Sequence, residues 1–285
     1  MSSSLKFGPG VPGREALGAK SLEDFLGTGE GLHGEARMEL VREDGARSLL
    51  RYPLPGTPSD DGNLTGSPRG AGTGWVRLAR YRGGGFMESM RTRFTAPRSE
   101  SLAAREWNLL CVLRSKGVGT PEPLAVGGGA RCSFLVTREL SKVQPVAEWL
   151  LENHCGENRC NGLAALASFF GRLSRSGVTL PELTSEGLFI GRPKEPCASS
   201  LEPVSGKRVR RLPPVFLEEV RGGGLERMPG LRESAQRLRH LLSSLPDEAR
   251  PSGREGYGIF VRALRDLGSQ SELRAVWHEF SGNRS

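Results

Sequence analysis

The stretch LPELTSEGLFI, Leu180 to Ile190, decides how this chain is read. Leu180 and Leu183 enclose a proline and a carboxylate, Glu182. A short polar segment closes on Gly187, and an apolar run, Leu188–Phe189–Ile190, follows. Proline restricts the backbone at the entrance, and an apolar run behind a glycine reads as a buried strand. The stretch is therefore a turn that holds an acid ahead of a strand.

Working outward, the segment before it is helical. VAEWLLENH (Val146–His154) and the strongly apolar NGLAALASFFGRLSRSG (Asn161–Gly177) read as helices, the second stopped at Gly177. After it come a basic loop, Arg192 to Arg211, and PPVFLEEV (Pro213–Val220), a short strand ending in two acids. LRESAQRLRHLLSSL (Leu231–Leu245), FVRALRDL (Phe260–Leu267) and ELRAVWHEF (Glu272–Phe280) complete a helical half.

The other half reads differently. MELVREDGARSLLRYPL (Met38–Leu54) forms a hairpin around Asp44–Gly45, and WVRLARYR (Trp75–Arg82) alternates as a strand. SESLAAREWNLLCVLRSKG (Ser99–Gly117) is an amphipathic helix, with Leu102, Glu106, Leu109, Leu110 and Leu113 at helical spacing. GVGTPEPLAVG (Gly117–Gly127) is extended, and CSFLVTREL (Cys132–Leu140) is a strand. Strands, one helix, strands and then helices make an α+β chain. Residues 1–36 are poorly patterned, 37–140 form the sheet-rich part with a Gly/Pro-rich insertion at 55–74, and 141–285 form the helical part.

At 285 residues, with 36% hydrophobic content, the chain can bury a sizeable core. Its longest apolar run, Leu163–Phe170, is too short to span a bilayer, and MSSSLKFGPG lacks a secretory h-region. A cytoplasmic protein without a transmembrane segment is expected. Five cysteines at irregular spacing fit a reducing compartment rather than a disulfide framework. His154, Cys155 and Cys160 lack the spacing and the second cluster of a zinc site. The net charge of +8 admits anionic partners, including an anionic surface, but the arginines are interleaved with acids. Aromatics at 6%, with no stacking platform in a basic stripe, argue against nucleic acid.

Several phrases occur in a family's order: RYRGGGF (Arg80–Phe86), SESLAAREWNLL (Ser99–Leu110), GVGTPEPLAVG, SFLVTREL (Ser133–Leu140) and SGVTLPELTSEGLFI (Ser176–Ile190). Through them the chain resembles the lipopolysaccharide kinases, the Kdo/heptose kinases of bacteria. The resemblance implies a protein-kinase-like fold with a small β-rich N-lobe and a larger helical C-lobe. Two such lobes clamp ATP, metal ions bridge its phosphates, and a carboxylate positions the acceptor hydroxyl. ATP and Mg2+ are the implied cofactors, and a nucleotide and a sugar or lipid-linked sugar the implied partners.

The resemblance also exposes departures. The family's phosphate-steering lysine falls at Ala79, with Arg77 and Arg80 as flanking substitutes; the helix glutamate that holds it falls at Glu106. The backbone near Thr137 and Glu139 would face adenine. In the catalytic loop, His-Arg-Asp-Leu and a later Asn become Leu180-Pro181-Glu182-Leu183 and Gly187. Glu182 keeps a carboxylate, displaced by about 1.5 Å, one C–C bond. The metal-binding acid falls at Glu219, with Glu218 the alternative. A literal G-x-G-x-x-G at Gly29, Gly31 and Gly34 competes with the Asp44–Gly45 hairpin for the phosphate loop.

The expected function is a degenerate kinase relative with weak or absent transfer, acting as a binding or regulatory pseudokinase. Two alternatives stand beside it. One is an active ATP-dependent kinase of a sugar or lipid-linked sugar of the lipopolysaccharide core. The other is a basic interaction domain using Arg192, Lys194, Lys207, Arg208, Arg210 and Arg211.

Overall fold

The computed structural model describes residues 4–7, 39–44, 47–53, 75–82, 101–128, 132–181, 183–191 and 212–281. The chain divides into two compact units, Met1–Cys111 with Pro121–Ser141, and Val112–Thr120 with Lys142–Ser285. The Gly29–Gly34 motif, the 55–74 insertion, Gly83–Gly85 and the basic loop 192–211 lie outside the described residues.

In the first unit, β4 (Trp75–Arg82) is buried on both faces: Val76 and Leu78 on one, Ala79 and Tyr81 on the other. It pairs antiparallel with β3 (Arg47–Pro53) and with β6 (Cys132–Arg138). β2 (Glu39–Asp44) extends the sheet beyond β3, and β5 (Pro123–Gly128) beyond β6. β1 (Ser4–Phe7) lies outside β5, giving the order β1-β5-β6-β4-β3-β2. Local patterning expects nothing in residues 1–36; four residues are too few to show a period, and their ladder partner is distant in sequence.

Helix α1 (Leu102–Ser115), whose residues up to Cys111 belong to this unit, starts where Ser101 Oγ accepts the Ala104 amide at 3.2 Å. It stops at Gly117, whose φ of +71° lets Val118 donate to the Leu113 carbonyl at 2.9 Å. Glu106, Leu109, Leu110 and Leu113 are buried. Leu102, expected on the same face, is 53% exposed because it belongs to the first turn.

The second unit is built on α3 (Gly156–Arg175), which buries Leu163, Leu166, Phe169, Phe170 and Leu173. It begins five residues before the expected Asn161 and ends before Gly177, at φ +72°. α2 (Val146–Glu152) precedes it and is entered from β7 (Val143–Pro145). β7, β9 (Leu188–Gly191) and β10 (Val215–Leu217) form a small sheet in the order β10-β9-β7. β8 (Val178–Thr179) pairs with β11 (Gly224–Leu225). β7, β8 and β11 are too short for sequence periodicity to reveal.

Helices α4 (Leu231–Ser243), α5 (Gly253–Leu264) and α6 (Gln270–Ser281) complete this unit. α5 is the clearest correction to the sequence reading, which begins it at Phe260 and carries it to Leu267. The capping box of Ser252 and Glu255 sets its start at Gly253. Three glycines in its first turns hide the apolar stripe. Gly171 of α3 lies so close to α5 that a Cβ would stand 2.8 Å from the Ala263 carbonyl oxygen. Trp277 of α6 packs on Tyr257 and Phe260 of α5, with centroids 5.5 and 5.3 Å apart. Among the described residues no helix is long and apolar enough to cross a membrane.

Candidate active site

In the first unit the ladder decides which side chains meet. β4 runs in unbroken register with β3 and β6 from Val76 to Tyr81. Arg47, Leu49 and Arg51 of β3 stand beside Tyr81, Ala79 and Arg77 of β4, and these beside Ser133, Leu135 and Thr137 of β6. Residues paired across a ladder share a face, so this set lines one side of the sheet. Arg80 pairs with Ser48 and Phe134 and points to the other side. An odd spacing on a regular strand therefore separates the two arginines that flank Ala79.

Ala79 is 4% exposed and carries no charge to the face it lines. The cation of that face that meets Glu106 is Arg47, at the start of β3 and 8% exposed. Its Nη2 lies 3.9 Å from Glu106 Oε2 of α1, and its Nε donates to the Tyr81 hydroxyl at 3.2 Å. The guanidinium also sits 5.5 Å from the centre of the Tyr81 ring. Burial and the Glu106 carboxylate push the Tyr81 phenol well above its ordinary pKa, outweighing Arg47. Glu106 thus has a buried cationic partner, although position 79 holds none. Sequence reasoning missed Arg47; the signal was present in the hairpin, whose short turn pairs Asp44 with Arg47 and makes it the first residue of the strand.

Arg77 shares the Ala79 face, but its Nε lies 3.5 Å from Glu139 Oε1. Glu139 also accepts from Arg51 Nε at 2.8 Å, and Arg51 stacks 4.2 Å from the Trp75 ring centre. Arg77 and Glu139 therefore neutralise each other within one charge cluster. Thr137 is half-buried opposite Arg77, and the Glu139 amide donates to the Trp75 carbonyl at 3.0 Å.

In the second unit, the Leu183 amide reaches the Leu180 carbonyl at 3.4 Å, and Ser185–Gly187 form one turn of 3-10 helix. Ser185 anchors that turn: its amide donates to Ser244 Oγ and its hydroxyl to the Ser244 carbonyl, both at 2.8 Å. β9 then pairs Leu188 with Leu217, and the Glu218 amide donates to the Gly187 carbonyl at 2.9 Å. Gly187 and Glu218 are thus brought together through their backbones, with Glu219 the next residue in the chain; Glu182 lies outside the described residues. A cavity of about 440 Å³ adjoins the loop, lined by Leu180, Pro181, Leu183, Phe170, Arg237 and His240 among others.

Among the described residues, no group of three or more His, Cys, Asp or Glu could hold a metal ion. Magnesium commonly takes one or two carboxylates and completes its shell with water and substrate phosphates. Glu218 and Glu219 fit that requirement only with nucleotide phosphates supplying further ligands.

The family described as "Lipopolysaccharide kinase (Kdo/WaaP) family" matches residues 62–184. A solved structure of WaaP in complex with acyl carrier protein has the same fold, with a TM-score of 0.60 at 15% identity, covering 98% of this chain and 98% of that chain. No curated protein sequence matches. The chain is thus similar to the lipopolysaccharide kinase (Kdo/WaaP) family over residues 62–184, and it shares the α+β, kinase-like fold of the solved WaaP structure.

Proposed function

We propose that the chain is a nucleotide-binding member of this family in which phosphotransfer is weak or absent, so that it acts as a binding or regulatory pseudokinase. Ala79 carries the reading. It is a buried methyl on the sheet face served by Glu106, where phosphoryl transfer needs a charge that steers the α- and β-phosphates. Gly187 adds to it, because it offers a metal ion no side-chain ligand. ATP with Mg2+ is the proposed ligand, its phosphates met by the charged face of the first unit. Glu182 is the carboxylate left at the catalytic-loop position.

The alternative reading is an active kinase of a sugar or lipid-linked sugar. The contact between Glu218 and Gly187 favours it, since an acid pair is retained beside the catalytic loop. The solved WaaP structure is a complex with acyl carrier protein, and the same partner is proposed for this chain; co-purification after joint expression tests it.

The binding half of the proposal is tested by thermal shift of the full chain with Mg-ATP. Nucleotide at 100 times its dissociation constant should add about 2.7 kcal/mol. A melting temperature indifferent to millimolar Mg-ATP would remove nucleotide binding from the account.

A further inference from the structure

We propose that Arg47 is the phosphate-binding cation of this chain, supplied from β3 in place of the lysine that β4 lacks at Ala79. The inference rests on the nucleotide-binding reading above and names the residue that makes such binding work.

The first support is the face. Glu106 is the helix acid whose role in a kinase fold is to hold the phosphate-steering cation. In this chain that acid meets Arg47, at 3.9 Å. Arg47 and Ala79 lie on the same side of the sheet. Leu49 is the direct partner of Ala79 and Arg47 the partner of Tyr81, which makes Arg47 and Ala79 diagonal neighbours. Diagonal neighbours stand roughly 7–8 Å apart, within reach of a long side chain. A guanidinium from Arg47 and an ammonium from position 79 can therefore serve one locus.

The second support is energetic. A buried ion pair contributes little to stability compared with apolar residues of similar size, because both charges must be desolvated. Arg47 and Glu106 are both buried, at 8% exposure each. Two further restraints fix the guanidinium: the hydrogen bond to the Tyr81 hydroxyl at 3.2 Å and the contact with the Tyr81 ring. Such preorganisation suits a group that must meet an anion in one orientation. An arginine fork is well matched to phosphate oxygens.

The third support is that the other arginines near Ala79 are placed differently. Arg77 is engaged with Glu139, and Arg80 points to the opposite face. Among the described residues, Arg47 is the cation shown to share both the face and the helix glutamate.

The experiment measures binding of Mg-ATP, inorganic tripolyphosphate and adenosine to the full-length chain by calorimetry. Arg47→Met should weaken Mg-ATP and tripolyphosphate by about tenfold or more, the scale of one charge-assisted hydrogen bond. Adenosine should change by less than about twofold, because the base makes no use of a phosphate cation. Adding Ala79→Lys to Arg47→Met should recover most of the lost affinity for phosphate ligands.

Should Arg47→Met fail to fold, Arg47→Met/Glu106→Gln removes both charges and is held to the same criteria. Equal weakening of ATP and adenosine would overturn the proposal, since a merely structural arginine acts on both. A folded variant that binds ATP like the parent overturns it as well, while leaving the nucleotide-binding reading intact. A parent that binds none of the three ligands overturns both.

Discussion

The amide of Glu218 donates to the carbonyl of Gly187 at 2.9 Å, so the backbone that leaves β10 is pinned against the residue that the resemblance to the lipopolysaccharide kinases sets opposite an asparagine. A Cβ added at Gly187 meets nothing within 4 Å. Space for a larger side chain is therefore present at that position.

Gly187→Asn should therefore be accepted without loss of stability. It should also lower the Mg2+ concentration needed for nucleotide stabilisation by about tenfold, the worth of one added ligand at roughly 1.4 kcal/mol. Melting temperatures across a Mg2+ series at fixed ATP check this. An unchanged Mg2+ requirement would place the metal away from this loop.

The glycines of the second unit separate by what surrounds them. Gly171→Ala should cost about 1–3 kcal/mol, because its Cβ would press on the Ala263 carbonyl and force α3 from α5. Gly258→Ala, on the exposed face of α5, meets nothing within 4 Å and should stabilise by about 0.4–1 kcal/mol. Chemical denaturation of the two variants distinguishes close approach from simple helix propensity. Equal effects would contradict the α3–α5 packing.

Arg159 is buried in α3, with Nε 2.9 Å from Glu255 Oε1 and Nη2 3.0 Å from the Arg250 carbonyl. Arg159→Met should destabilise by about 2–3 kcal/mol, since a carbonyl and a partly buried carboxylate lose their donor together. Thermal melts read this directly; a shift under about 2 °C would mean that water replaces the guanidinium without cost.

Burial pulls the Glu255 carboxyl upward, but hydrogen bonds from Arg159 and Ser252 outweigh it and hold its pKa below the ordinary 4.5. A depressed folded pKa contributes stability that is present above the unfolded value and lost as pH falls through the folded one. Glu255→Gln should therefore flatten the fall in melting temperature between about pH 5 and about pH 3. Parallel curves for parent and variant would assign the acid loss to other carboxylates.

Much of the fold was legible because its signals are local. The WVRLARYR alternation matches β4 residue for residue, and Gly117 and Gly177 stop their helices where a positive φ is needed. β1 escaped detection because its evidence lies in a distant ladder partner. α5 begins earlier than its apolar pattern implies because a capping box outweighs glycine's low helix propensity. The site was less legible. Ala79 and Glu106 come from the family resemblance, but the cation beside Glu106 depends on β-sheet register, which brings Arg47 to Tyr81. Arg77 illustrates the same limit: its engagement with Glu139 is tertiary, and no spacing along the chain announces it.

The most direct test of the account is a turnover measurement on the full chain with Mg-ATP, made beside its Glu182→Gln variant. A working kinase turns over at roughly 1–100 per second. The parent should bind ATP yet release or transfer phosphate far below that range, at a rate Glu182→Gln leaves unchanged. Turnover within that range by the parent, abolished in the variant, would contradict it and make the chain an active phosphotransferase.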